Sequence, residues 1–283
     1  EIYVWSPTSE PLNNSIQTSA NVTNSNTNVV ENPTKNATSS EVNTAENATS
    51  NEVTNTLSNT STLTNTTSVG TDLNLECGGA VLIEQNSGRV LYDHNMHQKL
   101  RPASVTKVMS LLLIMEAIDS GRLSYTDKIP CTEEAAAMGG SQIWLDVREE
   151  LTVDEMLKAI CVVSANDCTV AMAEYLAGSQ EAFVAQMNDK AKELGMNDTT
   201  FKNCHGIDED GHETSAYDIA LMSRELLTKH PDITKYTTIW MDSLRDGKSE
   251  LVNTNKLIRN YKGATGLKTG STSIALYLSL IHI

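Results

Sequence analysis

Three short clusters in this sequence have the residue types and spacing that nucleophilic acyl chemistry needs. Ser104-Val105-Thr106-Lys107 sets an amine three residues after a hydroxyl. Ser164-Ala165-Asn166 adds a hydroxyl and an amide, and Lys268-Thr269-Gly270 adds a second amine, another hydroxyl and a position without a side chain. A serine hydroxyl is a weak nucleophile and needs a base. Residues i and i+3 share a face of a helix, so Lys107 can bring its amine beside the Ser104 hydroxyl. Burial at the start of an apolar helix, together with a second cation such as Lys268, lowers the pKa of that amine, and the neutral amine can then accept the serine proton. The backbone N–H of Ser104, at a helix N-terminus, can help hold an oxyanion. Ser164 is expected to relay a proton to a leaving amine and Asn166 to bond a substrate amide. Lys268 and Thr269 suit a carboxylate, and Gly270 lets a substrate backbone approach a strand edge.

These residues need elements to position them. Gly79 to Gln85 reads as a buried strand, Asn86-Ser87-Gly88 as a turn, and Arg89 to Tyr92 as a returning strand, which together make a hairpin. From Ser104 to about Asp119 the chain is apolar nearly all round, the mark of a helix at the centre of a domain. Further helices are expected at Thr152–Cys161, opening with a capping-box pattern, and at Asp167–Ala177, Ser179–Leu194 and Ser215–Lys229, with Gly178 and Gly195 at C-terminal caps. Strand character returns only from Thr265 to Leu280. The order strands, helices, strand predicts an α+β fold in which a helical insertion interrupts one antiparallel sheet.

Composition bounds the rest. Between Pro11 and Gly70, 37 of 60 residues are Ser, Thr or Asn, too few of the others being apolar to offset the entropy of ordering, so residues 1–72 are expected to be a disordered tail. The net charge is −15 without a basic run, which makes nucleic acid and anionic membrane surfaces poor partners. Five cysteines without a C-x-x-C pair are expected to be buried small apolar residues, and Cys204, His205 and His212 lack the spacing of a zinc site, so no metal or cofactor is expected. No apolar stretch reaches the length of a membrane-spanning helix.

S-x-x-K and S-x-N each arise easily by chance, as Ser19-Ala20-Asn21 illustrates. All three motifs in this order form the signature shared by penicillin-binding proteins and class A β-lactamases. From about Ala80 to Tyr277 the chain resembles the low-molecular-mass penicillin-binding proteins, the serine-type D-Ala-D-Ala carboxypeptidases. Arg101-Pro102-Ala103-Ser104, Gly140-Ser141-Gln142-Ile143-Trp144-Leu145, Asn203-Cys204-His205-Gly206-Ile207, Asn253-Thr254-Asn255 and Gly266-Leu267-Lys268-Thr269-Gly270 carry that resemblance along with the motifs.

The resemblance implies a β-lactamase/transpeptidase-like fold. It also implies an extracytoplasmic enzyme, at the cell wall or the outer face of the cytoplasmic membrane, that removes the terminal D-Ala of peptidoglycan stem peptides through an acyl-enzyme on Ser104. Lys107 and Ser164 would move protons. Asn166, Lys268, Thr269 and Gly270 would bind substrate, and the N–H groups of Ser104 and Ser271 would form the oxyanion hole. β-Lactams would acylate Ser104. The alternatives are a class A-like β-lactamase, for which Glu193-Leu194-Gly195-Met196-Asn197 offers an E-x-x-x-N pattern, and a non-catalytic wall-binding module.

The family pattern continues well past the K-T-G strand. Residues 73–277 are therefore expected to be an incomplete catalytic domain with later strands missing. Any membrane association would come through that missing region. Residues 278–283 read as a translated DNA-library adaptor rather than native sequence. Two consequences are expected: the K-T-G strand stands as an unpaired edge, and apolar surface of the central helix is uncovered.

Overall fold

The computed structural model describes residues 2–7 and 73–283. Strand β1 (Ile2–Pro7) is followed, after residues outside that description, by β2 (Cys77–Ile83) and β3 (Val90–His94). A 3₁₀ turn at Ala103–Thr106 leads into α1 (Lys107–Asp119). The helical insertion then comprises β4 (Lys128–Pro130), α2 (Glu133–Ala136), β5 (Glu150–Thr152), α3 (Val153–Val162), α4 (Asn166–Ala177) and α5 (Gln180–Glu193). Next come α6 (Ala216–Lys229), α7 (Thr234–Thr237), β6 (Met241–Leu244), β7 (Ser249–Val252), α8 (Leu257–Asn260), β8 (Gly266–Thr272) and β9 (Leu276–His282).

Local signals account for the helix boundaries. The Thr152 hydroxyl accepts from Glu155 N–H while the Glu155 carboxylate accepts from Thr152 N–H, a complete capping box for α3. Ser179 and Ser215 cap α5 and α6 through their hydroxyls. Gly178 ends α4 at φ 83°, a left-handed position that glycine fills without a Cβ penalty. α1 is apolar all round and sits in the middle: Val108, Met109, Leu112, Ile114 and Met115 are all fully buried. It packs against α4, α5 and α6.

The main sheet has the order β3-β2-β1-β9-β8, each neighbouring pair antiparallel. Several expectations are corrected here. The tail does not begin at the first residue, since Ile2–Pro7 pairs with both β2 and β9 at the centre of the sheet; residues 8–72 lie outside the described residues. The K-T-G strand is not unpaired: Gly266–Thr272 pairs with Leu276–His282 along its whole length. The central helix is not uncovered. Leu278–His282 belong to β9, with Leu278 and Leu280 in the core, a placement that bears on the sheet and not on whether these residues are native. Strand structure is not confined to the ends of the chain either, because β4–β5 forms a two-stranded ribbon within the helical insertion and β6–β7 another between α7 and α8. Both are too short to leave a clear period in the sequence. All five cysteines are free and buried, as expected, and no helix among the described residues is long and apolar enough to cross a membrane.

Candidate active site

Ser104 and Lys107 lie not in the α-helix expected from sequence but in the 3₁₀ turn that precedes it and at the first position of α1. The tighter turn suits them better, because at three residues per turn the side chains at i and i+3 stand directly over each other. Lys107 Nζ lies 3.2 Å from Ser104 Oγ and donates to the carbonyl of His205 at 2.6 Å. A carbonyl only accepts, so an N–H of the amine is committed to His205. In the neutral form the lone pair is left for the serine hydroxyl.

Lys107 is fully buried. Desolvation, and secondly the positive charge of Lys268, hold its amine well below the ordinary lysine value. Lys268 is itself 2% exposed and is lowered by burial to about 8, with Nζ donating to the Thr269 carbonyl at 2.8 Å. The two amines are thereby set apart. Burial and the Lys268 charge both disfavour a proton on Lys107, while Lys268, at about 8, remains mostly charged at neutral pH.

β8 ends the sheet order, and its outer edge faces the 3₁₀ turn. A Cβ built on Gly270 would stand 3.1 Å from Ser104 N and 3.2 Å from Val105 N, tight contacts that any other residue could make only if the backbone gave way, so glycine lets the K-T-G strand come this close to Ser104. Thr269 Oγ1 bonds Thr254 Oγ1 at 2.8 Å, while Thr254 N–H donates to Val162 O at the end of α3. Asn253-Thr254-Asn255 thus fastens the strand to the helix before the S-x-N loop. Ser271 follows on the exposed side of β8.

Ser164 joins α3 to α4 in the left-handed region at φ 63°, a conformation costing a non-glycine residue about 1–2 kcal/mol. Its hydroxyl is buried without a hydrogen-bond partner among the described residues, as is Asn166 Oδ1. Strain and unpaired buried polar atoms together mark a place where the fold gives up stability for another purpose. Asn166 Nδ2 donates to Gly139 O at 2.8 Å, and its backbone N–H to Ser141 O at 2.7 Å. The neighbouring Asp167, fully buried, accepts from Ile143 N–H at 3.0 Å and Leu145 N–H at 3.1 Å. The loop 139–145 is therefore wrapped on the N-terminus of α4.

One part of the site had no role assigned from sequence: the strap Asn203-Cys204-His205-Gly206 over the S-x-x-K turn. Cys204 O accepts from Ser110 Oγ at 2.6 Å, and His205 O accepts from Lys107 as described. Gly206, at φ 97°, passes so near the Ala103 carbonyl and Ser104 N that any Cβ would overlap them. Asn203 Oδ1 accepts from Gly206 N–H and fixes the bend. His212 accepts from Lys202 N–H through Nδ1, which leaves Nε2–H to donate to Thr106 Oγ1 at 2.8 Å. Burial keeps His212 neutral, lowered to about 4, and His205 lowered to about 3. The sequence signal for this strap was the segment Asn203-Cys204-His205-Gly206-Ile207, which carried family resemblance without a role.

Two other places are separate from this cluster. A groove of about 540 Å³ is lined by Thr132, Glu134, Glu174, Tyr175 and Ser179, toward the C-terminal end of α4, whereas Asn166 opens that helix. Glu193, the acid of the E-x-x-x-N pattern, ends α5 with its side chain 66% exposed and paired with Lys190 at 2.7 Å.

The peptidase S11 family, described as D-alanyl-D-alanine carboxypeptidase, matches residues 64–281. D-alanyl-D-alanine carboxypeptidase DacF of Bacillus subtilis is 53% identical over 210 residues, which cover 73% of this chain and 54% of that protein. DacA of Escherichia coli is 35% identical over 207 residues, covering 70% and 50% respectively. Among solved structures, the carboxypeptidase DacD of Francisella tularensis superposes with a TM-score of 0.69 at 26% identity, over 75% of this chain and 66% of that one. Penicillin-binding protein D2 of Listeria monocytogenes in its ampicillin-bound form gives 0.65 at 27% identity, over 75% and 90%. The chain spans about half the length of the curated relatives it matches. Its fold is the α+β fold of the β-lactamase and transpeptidase type, and the chain belongs to the D-alanyl-D-alanine carboxypeptidase family, peptidase S11.

Proposed function

We propose that this chain carries the catalytic domain of a serine D-Ala-D-Ala carboxypeptidase acting outside the cytoplasm on peptidoglycan stem peptides. The observation that carries the reading is the desolvated Lys107 amine 3.2 Å from the Ser104 hydroxyl. Neutral Lys107 takes the hydroxyl proton as Ser104 Oγ attacks the carbonyl of the penultimate D-Ala. The negative charge that develops on the carbonyl oxygen is held by the backbone N–H groups of Ser104 and Ser271. The terminal D-Ala leaves as its amine receives a proton through Ser164, and water then releases the acyl group from Ser104. Lys268, still charged, and Thr269 hold the substrate carboxylate, and the unpaired Asn166 Oδ1 accepts from a substrate amide. β-Lactams acylate Ser104 as mimics of the D-Ala-D-Ala end, a reading supported by the ampicillin- and cefotaxime-bound forms of the Listeria monocytogenes relative.

The exposed, ion-paired Glu193 gives no support to a β-lactamase reading. The test is labelling by a fluorescent penicillin together with D-alanine release from a pentapeptide ending in D-Ala-D-Ala. The native chain should label and release D-alanine, and Ser104→Ala should do neither. Labelling that persists in Ser104→Ala, or rapid multiple turnover of penicillin, refutes the proposal.

A further inference from the structure

Trp144 is the most exposed large apolar side chain among the described residues, at 77%. A single apolar residue at a surface ordinarily calls for no explanation. This one differs in how its backbone is held. Trp144 sits in the left-handed region at φ 60°, a conformation unfavourable to a bulky side chain. The residues on either side, Ile143 and Leu145, are buried and donate both their N–H groups to the buried Asp167 carboxylate. From the other direction Arg245 donates to Ile143 O at 2.9 Å and Trp144 O at 3.4 Å. Arg245 is in turn fixed by Glu149 through both carboxylate oxygens. A buried carboxylate and a paired guanidinium thus clamp a strained backbone, and the result is an indole turned out to water. By contrast, Trp240 is half-buried and has the Arg259 guanidinium over its ring.

The position is also informative. The same loop contributes Gly139 O and Ser141 O to Asn166, so Trp144 stands on the loop that borders the S-x-N part of the candidate site. An indole offers a large flat face with few rotatable bonds, and that face carries partial negative charge. It is complementary to the C–H face of a pyranose ring, whose hydroxyls stay in water at the edges. The charged neighbours of Trp144 are paired with each other, Asp146 with Arg148 and Glu149 with Arg245, so neither guanidinium is left over to draw an anionic polymer or lipid and a neutral sugar is unopposed.

We propose that Trp144 is a stacking platform for a neutral amino-sugar ring of the glycan strand to which the peptide substrate is attached. The inference rests on the proposed function and adds a subsite to it: the enzyme reads the glycan as well as the peptide. Trp144 is a binding residue, and Asp167 and Arg245 are its positioning residues.

Two measurements test it. The first is titration of tryptophan emission with peptide-free oligomers of N-acetylglucosamine. The native chain should give a saturable change that is absent in Trp144→Ala. The second is the ratio of kcat/KM for a disaccharide-linked pentapeptide to that for the free pentapeptide. Trp144→Ala should lower this ratio at least about fivefold, and Trp144→Phe should restore most of it. An unchanged ratio, no saturable emission change, or a response to neutral lipid vesicles instead of sugar overturns the platform. If the native chain releases D-alanine from neither peptide, the carboxypeptidase reading fails, and the sugar titration alone decides the platform.

Discussion

Replacing Gly206 by alanine should disable the site from behind. The added Cβ would overlap the Ala103 carbonyl and stand 2.9 Å from Ser104 N, and both are backbone atoms that cannot rotate aside. The strap must therefore withdraw by roughly 1 Å, and it carries the His205 carbonyl that Lys107 bonds at 2.6 Å and the Cys204 carbonyl that Ser110 bonds at 2.6 Å. Weakening these two buried bonds and holding alanine at φ 97° together cost about 3–6 kcal/mol of stability. On the proposed mechanism, displacing Ser104 and Lys107 by that distance lowers acylation on the order of a hundredfold. Gly247→Ala is the control. It has the same kind of backbone, at φ 83°, but nothing within 4 Å of the added Cβ, so it should lose only about 1–2 kcal/mol and label normally. The assays are urea unfolding and the rate of labelling by a fluorescent penicillin. If Gly206→Ala matches Gly247→Ala in both, the strap does not hold Ser104 and Lys107 in place and the reasoning is wrong.

Lys268→Met should abolish labelling yet make the protein more stable at pH 7. The buried amine is lowered from the ordinary 10.5 to about 8, which corresponds to a burden on the order of 3 kcal/mol while it is charged. Between those two values the unfolded chain holds more protons than the folded one, so native stability rises with pH across that window and the advantage of Lys268→Met should shrink toward pH 10.5. Urea midpoints at pH 7 and pH 10 check this; a variant less stable than native at pH 7 contradicts it. At the acid end, His205 and His212 are kept neutral to about 3 and about 4, against an ordinary 6.5. The unfolded state takes up their protons first, so stability falls as pH drops from 6.5 toward 4, by up to about 1.4 kcal/mol per pH unit for each histidine. His212→Gln should flatten the measured slope by about one proton, and an identical slope would remove His212 from the account.

Much of the local structure was legible because its causes lie within a few residues. The Thr152–Glu155 capping box, the serine caps of α5 and α6, the Gly178 stop and the hairpin around Gly88 depend on contacts between near neighbours in the chain. The i, i+3 pairing of Ser104 and Lys107 belongs here too, although the turn is 3₁₀ rather than α. Long-range pairing left no such trace. That Ile2–Pro7 lies between β2 and β9 depends on strands separated by more than the whole helical insertion, and a short run of four apolar residues, Ile2 to Trp5, states no partner.

The sequence by itself determined which groups are available for chemistry: two amines, three hydroxyls, an amide, and a glycine where a strand must come close. Only the tertiary structure decided what those groups are. A lysine is an ordinary cation until it is buried, and burial is a sum over neighbours contributed by distant segments. His205, from a strap 98 residues away, holds the Lys107 amine, and burial together with Lys268, on another element, lowers its pKa. Gly206 and Gly270 are needed only because two backbones meet at Ser104. Likewise Trp144 became informative only once Asp167 and Arg245 were seen to hold it outward. Covalent order fixes composition and local geometry, whereas desolvation and close approach are properties of the packed whole.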